Sequence, residues 1–219
     1  TPLSISFDEF GDPAKSKLVM QRGTATNVIE EATLGGGSIT GLLHFQNNDL
    51  SDAKNLLGRM AMAIGTTVNN QHKLGIDLNG AAGGDMFRVS ALPDGLASTT
   101  NTGAATVQVA IQTTPTSGAS SLAASSYVIN FTGAAAGSIT RESDGQTTIF
   151  AASPITVDGL TIAITGAAAA GDRFLVSPFN DASSVFSTNF SSPKALAMAN
   201  PVAASAGASN QGTLAMESL

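Results

Sequence analysis

Residues 36–87 read GGSITGLLHFQNNDLSDAKNLLGRMAMAIGTTVNNQHKLGIDLNGAAGGDMF, and the periodicity of this stretch sets the architecture. Ile39, Leu43, Leu50, Ala53, Leu57, Met60, Ile64 and Val68 recur at spacings of three, four or seven, with Leu42, Leu56 and Ala63 widening the same face. Asn47, Asn48, Asp52, Lys54, Asn55, Arg59 and Thr66 occupy the other side. That pattern predicts one amphipathic helix. From Ile39 to Lys73 it would run roughly 50 Å. A compact core does not need that length, which suggests a rod that packs along other helices. The heptad slips at Gln46, so a break is expected between Asn47 and Leu50. Ser38 reads as the N-cap, Lys73 as a last-turn cation and Gly75 as the C′ residue. Helix is expected over most of Ser51–Gln71, with Leu50, Leu57, Met60 and Ile64 on the more buried face and residues 1–36 as the only local cover. Gly58 and Gly65 each lower helix propensity by about 1 kcal/mol, so packing must hold the helix there.

Working outward, residues 1–36 read as irregular segments and short strands. Lys17–Gln21 and Asn27–Glu30 flank an Arg22-Gly23 turn, and Gly35-Gly36-Gly37 releases the chain into the helix. Past it, Asp77–Asp85 reads as a flexible joint. From Phe87 the period changes to two. Phe87–Ser90, Thr106–Gln112, Tyr127–Phe131, Gly137–Arg141, Thr147–Phe150, Leu160–Thr165 and Arg173–Val176 read as strands. They are punctuated by Asp144-Gly145, Asp158-Gly159, Gly166 and Gly171-Asp172. The expected fold class is α+β, mainly β: an antiparallel sandwich or barrel-like domain, one long amphipathic helix and a small N-terminal β segment. The expected divisions are 1–83 for the β segment and helix, 84–190 for the β domain, and 191–219 for a short helix and flexible tail. Phe131, Ile149, Leu160, Ile162, Phe174 and Val176 are the expected inward positions. Residues 92–125, rich in Ala, Ser and Thr, read as a variable loop excursion outside the Thr106–Gln112 strand. A helical turn or two is expected over Pro193–Pro201, a flexible stretch over 202–212 and the start of a helix over 211–219.

Composition narrows the function classes. The chain has 219 residues, a formal net charge of −6 and no cysteine. An acidic chain repels a polyphosphate backbone, which argues against nucleic-acid binding. Without cysteine there is no disulfide and no thiolate metal site. No run of 18 apolar residues crosses a membrane, and TPLSISFDEFGDPAKSK carries no secretory h-region. Neither end has the look of a natural terminus, so a piece of a longer protein is expected.

The central stretch resembles the flagellar hook-associated protein 1 family. The family shows Gly-Gly, then Gly-Leu-Leu-x-Phe, a long helix, then Asn-x-x-His-x-x-Gly-x-Asp-x-x-Gly and a Phe. Here those are Gly36-Gly37, Gly41-Leu42-Leu43-His44-Phe45, Asn69, His72, Gly75, Asp77, Gly80 and Phe87. Gln46 stands where the family usually has Arg. Ser126–Phe131, Ile139–Gly145, Val157–Ile162 and Gly171–Pro178 resemble the family's outer β domain in the same order. The resemblance covers roughly Gly36 to Pro201. It implies an extracellular structural adaptor, exported through the flagellar apparatus, that joins hook to filament. Its partners would be copies of itself, the hook protein and the next junction protein. It also implies terminal helices that make most subunit contacts and are absent here, so this chain alone is expected to be a monomer.

Enzyme chemistry fails residue by residue. After Gly35-Gly36-Gly37, Thr40 stands where a dinucleotide fingerprint needs glycine. The same Thr40 spoils a nucleophile elbow at Ser38. His44 and His72 lie far apart with no acidic ligand at a metal-binding spacing; His72 instead suits the last turn, where a donor meets free carbonyls. Asp77-x-Asn79 opens like a calcium loop, but Ala81 and Arg88 occupy later ligand positions. A turn capped by side-chain oxygens fits better. Glu30 and Glu31 read as adjacent strand positions facing opposite ways, unsuited to a glycosidase pair. No catalytic residue, cofactor or metal site is expected. The rival reading is an adhesin-like β domain holding a glycan or host receptor through the loop from Ser98 to Ser126. That stretch carries no aromatic residue until Tyr127, which counts against sugar stacking.

Overall fold

The computed structural model describes residues 2–113, 118–200 and 212. The expectations for 202–211 and 213–219 therefore lie outside it. Strands β1 (Leu3–Phe7), β2 (Ser16–Arg22) and β3 (Ala25–Ile29) form an antiparallel meander. β1 is a strand that the sequence reading left irregular. After a 3₁₀ turn at Glu31–Thr33 and three glycines at positive φ, the chain enters α1 (Ser38–His44). Its N-cap is Gly37, and Ser38, the expected cap, is the first helical residue. Phe45–Asp49 form a π-turn and α2 (Leu50–His72) follows without interruption. The expected break is thus a wide turn inside one continuous helix. It aims Asn47 at the β2 backbone, accepting from Ser16 N at 2.9 Å and donating to Ser16 O at 2.9 Å. Gln46 donates to Ser16 Oγ at 3.0 Å.

Ten further strands follow: β4 (Phe87–Arg88), β5 (Leu96–Ala97), β6 (Thr106–Ile111), β7 (Tyr127–Phe131), β8 (Gly137–Arg141), β9 (Thr147–Phe150), β10 (Ile155–Val157), β11 (Leu160–Thr165), β12 (Arg173–Val176) and β13 (Ser187–Thr188). One sheet has the order β5-β12-β7-β8-β9 and a second the order β10-β11-β6; β13 pairs with β4. All pairings are antiparallel. Val107, Val109, Ile155, Leu160 and Ile162 of the smaller sheet share one core with Tyr127, Ile129, Phe131, Ile139, Phe150, Phe174 and Val176 of the larger. Along β6, β7 and β8 every second residue is buried, as the inner face of a sandwich requires. The Asp158-Gly159 turn joins Val157 to its partner Leu160 with both residues at positive φ. That is the two-residue geometry matching strand twist.

Five of the six expected inward residues are buried: Phe131, Leu160, Ile162, Phe174 and Val176. Ile149 is not; it is 84% exposed, and Phe150 points inward instead. The register explains this. Phe150 sits opposite Gly137, where the missing side chain leaves room for its ring to meet Phe131 edge-on at 5.6 Å. Residues 92–125 are also more than an excursion. β5 pairs with β12, and Leu122 is fully buried in the core.

Candidate functional surface

The helix has two working faces, and the sequence reading placed its burial on the wrong one. Leu50, Leu57, Met60 and Ile64 are exposed, Leu57 at 57%. The buried residues of α2 are Asn55, Gly58, Ala61, Met62, Gly65 and Asn69. Five of these, 55, 58, 62, 65 and 69, follow their own three-four spacing. The cause is how close the β domain comes. The backbone of Phe179 lies against Gly58, and Val89 and Phe186 lie against Gly65, leaving no room for a Cβ at either position. Met62 reaches into the sandwich core, and Arg59 Nε donates to Leu122 O at 2.6 Å. Packing does hold the helix at its two glycines, but through the small-residue face. α3 (Ala182–Val185) completes the seat along α2.

The large apolar side chains therefore stay bare. Ile39, Leu42, Phe45, Leu50, Leu56, Leu57, Met60 and Ile64 are all exposed. Residues 2–36 do not cover them; only Leu43 beside β2 is buried in α1. Contiguous exposed apolar surface of this kind marks an interaction face.

The motif residues gather at the far end of the helix. Asn69 accepts from Phe87 N and donates to Phe87 O, both at 2.8 Å, as a neighbouring strand would. Phe87 stacks on Phe186, with ring centroids 5.0 Å apart. Gly75 is not a left-handed cap; it lies against the Ala197 carbonyl, where a side chain would collide. Asp77 Oδ1 accepts from Asn79 N at 2.8 Å and Ala81 N at 2.9 Å. This is the expected side-chain-capped turn. The Ala81 N–H, foremost, holds that carboxyl below its usual range. Within the stretch where a helical turn or two is expected, Pro193–Ala195 make one 3₁₀ turn.

The remaining candidates do not converge. Glu31 lies in the 3₁₀ turn, not on a strand as expected, and its Oε1 sits 3.0 Å from His44 Nδ1. An open hollow of about 510 Å³ is lined by Glu31, Ala32, Gly35, Gly36 and Thr40, with Glu31 its one titratable side chain. Among the described residues, no three His, Cys, Asp or Glu side chains are grouped to hold a metal ion. No helix among them is long and apolar enough to cross a membrane.

Two polar clusters that spacing alone did not reveal fasten the β domain. Arg141 grips Asp158 in a fork, Nε to Oδ2 at 2.8 Å and Nη2 to Oδ1 at 2.6 Å, and Tyr127 OH donates to Asp158 Oδ2 at 2.8 Å. Burial first, then Asp158, pushes the Tyr127 hydroxyl well above its ordinary pKa. In the second cluster Asp172 accepts backbone N–H bonds from Thr102 at 2.8 Å, Gly103 at 3.1 Å and Ala169 at 2.8 Å. Those donors, Ala169 foremost, hold its carboxyl below the usual range. A depressed folded-state pKa stabilises the fold above the unfolded value near 3.9. That contribution disappears as pH falls through the folded value. Urea midpoints are therefore expected to fall as pH drops below about 4. Asp172→Ala should lower the midpoint at neutral pH and narrow the gap between neutral and about pH 3. An unchanged gap would assign the acid sensitivity to other carboxylates.

A helix with one face fitted to a β sandwich and the other left bare defines an α+β protein with an exposed apolar interaction face. Comparison with known proteins gives the family. Residues 1–87 match the model of the flagellar hook-associated protein FlgK helical domain. Residues 96–178 match that of the flagellar hook-associated protein 1 D2-like domain. The chain is 37% identical over 177 residues to flagellar hook-associated protein 1 of Escherichia coli K12, covering 78% of this chain and 31% of that protein. It is 30% identical over 175 residues to the same protein of Salmonella typhimurium, covering 78% and 31%. The flagellar hook junction protein FlgK of Burkholderia pseudomallei superposes with a TM-score of 0.77 at 30% identity, covering 96% of this chain and 39% of that one. The chain belongs to the flagellar hook-associated protein 1 family. It spans about a third of the length of the curated relatives it matches. None of these matches is to an adhesin.

Proposed function

We propose that this chain is part of a non-catalytic adaptor that joins hook to filament outside the cell. The bare apolar face of the long helix carries the reading. A seam of Leu, Ile, Met and Phe along about seven turns is what a helix presents to other helices. In a longer protein the occupants would be further helical segments of the same chain, with copies of the subunit, the hook protein and the next junction protein beyond them. The β sandwich rides on the opposite, small-residue face and stays clear of that seam.

The expectation of a monomer required residues 1–36 to cover the stripe, and they do not. The 219-residue chain is now expected to self-associate at micromolar concentration, measured by light scattering. Leu57→Glu with Met60→Lys should return it to a monomer at less than about 0.5 kcal/mol of folding stability, since both side chains are more than half exposed. The same two changes in the full-length protein should leave hooks without filaments in a strain lacking its own copy. Normal filament growth with the charged stripe would sink the adaptor reading.

A further inference from the structure

His72 sits in the last turn of α2, between two stretches far apart in sequence. Its Nδ1 lies 2.7 Å from Gly84 O, on the chain leaving the helix for the sandwich. Its Nε2 accepts from Ala197 N at 2.9 Å, on the chain coming back. A backbone N–H can only donate, so Nε2 is the bare nitrogen and Nδ1 carries the hydrogen. The imidazole is thus a two-sided splice with a fixed tautomer.

The surroundings are built to the same end. Gly75 and Gly83 both lie against Ala197, and Gly83 also lies against His72 O; neither has room for a side chain. Ile76 N donates to Ala199 O at 2.8 Å, and Leu78 N donates to Lys194 O at 3.1 Å. Lys73 pairs with Asp85 at 2.6 Å. Asn189 N donates to Met86 O at 2.9 Å. Outgoing and returning chains therefore run together past the helix end, and among the described residues His72 is the one side chain bonded to both.

We propose that His72 is a positioning residue that pins the outgoing chain at Gly84 and the returning chain at Ala197 to the end of the helix, making a single two-stranded neck. The seat of the sandwich on Gly58 and Gly65 does not depend on this pin. Loss of His72 therefore frees residues 194–199 while the sandwich stays in place. The proposal holds whether or not the chain acts at a hook junction.

Amide hydrogen exchange and ring nitrogen shifts on the 219-residue chain test it. Wild type should show His72 as the Nδ1–H tautomer, the reverse of the form that free imidazole side chains favour. His72→Phe keeps the ring shape without polar atoms and should speed exchange at Ala197, Ile76 and Ala199 by roughly tenfold, with Tyr127 and Ile129 unchanged. His72→Gln keeps one donor and one acceptor and should recover part of the protection. Unchanged exchange at Ala197 in His72→Phe, or no recovery in His72→Gln, would overturn the proposal. If His72→Phe speeds every amide alike, the wild-type tautomer decides, and an Nε2–H ring overturns it.

Discussion

Replacing Gly58 by alanine is expected to destabilise the protein by roughly 2–3 kcal/mol. In an exposed helix the same change would stabilise by about 1 kcal/mol, because alanine is the better helix former. The sign reverses here because a Cβ would overlap the Phe179 carbonyl and crowd its Cβ. The obstacle is backbone, which cannot rotate away as a side-chain tip could, so helix and sandwich must separate. For a chain of this length the loss corresponds to a fall in Tm of roughly 5–10 °C. Gly41→Ala is the internal control. It lies in α1 with nothing near its added methyl group, and it should hold or raise Tm. If both variants raise Tm alike, the small-residue face is not where the sandwich sits.

Ile162→Asp is expected to be more damaging, by about 4 kcal/mol or more, because it places an unpaired carboxylate in the core. Ile162 is fully buried on the central strand of the smaller sheet, opposite Ile155 on one side and Val109 on the other. Ile149→Asp should change stability by no more than about 0.5 kcal/mol, since that side chain stands in solvent. Thermal and urea unfolding of the pair compare the same residue type in two strands of the same sandwich. A loss of only a degree or two for Ile162→Asp would mean that β11 faces the other way.

These two tests fall on either side of what periodicity reveals. Alternation found the inward faces of β7, β11 and β12 because each runs four to six residues between clear turns. It misjudged β9, where Ile149 and Phe150 are adjacent apolar residues and Gly137 across the ladder decides between them. β5 and β13 are two residues long and have no period to find. On the helix, the three-four pattern located a seam without saying what covers it. The face that is covered here reads Asn, Gly, Met, Gly, Asn, which no hydrophobic count selects. Small side chains signal close approach only once the partner is known. The clusters around Asp158 and Asp172 depend on loops meeting across 17 to 70 positions of sequence. The motif Asn69, His72, Gly75, Asp77 was legible as a pattern. Its meaning, a junction of three chain segments, came from Phe87, Gly84 and Ala197 arriving beside it.

The wide turn at Phe45–Asp49 carries a consequence for how this helix tolerates insertions. At 3.6 residues per turn, five positions from Phe45 to Leu50 would swing Leu50 about 140° round the axis from Phe45. The i→i+5 turn takes up an extra residue and brings Leu50 back toward the line of Phe45. Deleting one residue between 45 and 49 would leave a continuous and more regular helix. It would also leave α1 in nearly the same rotation about the axis relative to α2, because four ordinary steps turn the chain about as far as five steps of the wide turn, so the exposed apolar face would keep its line.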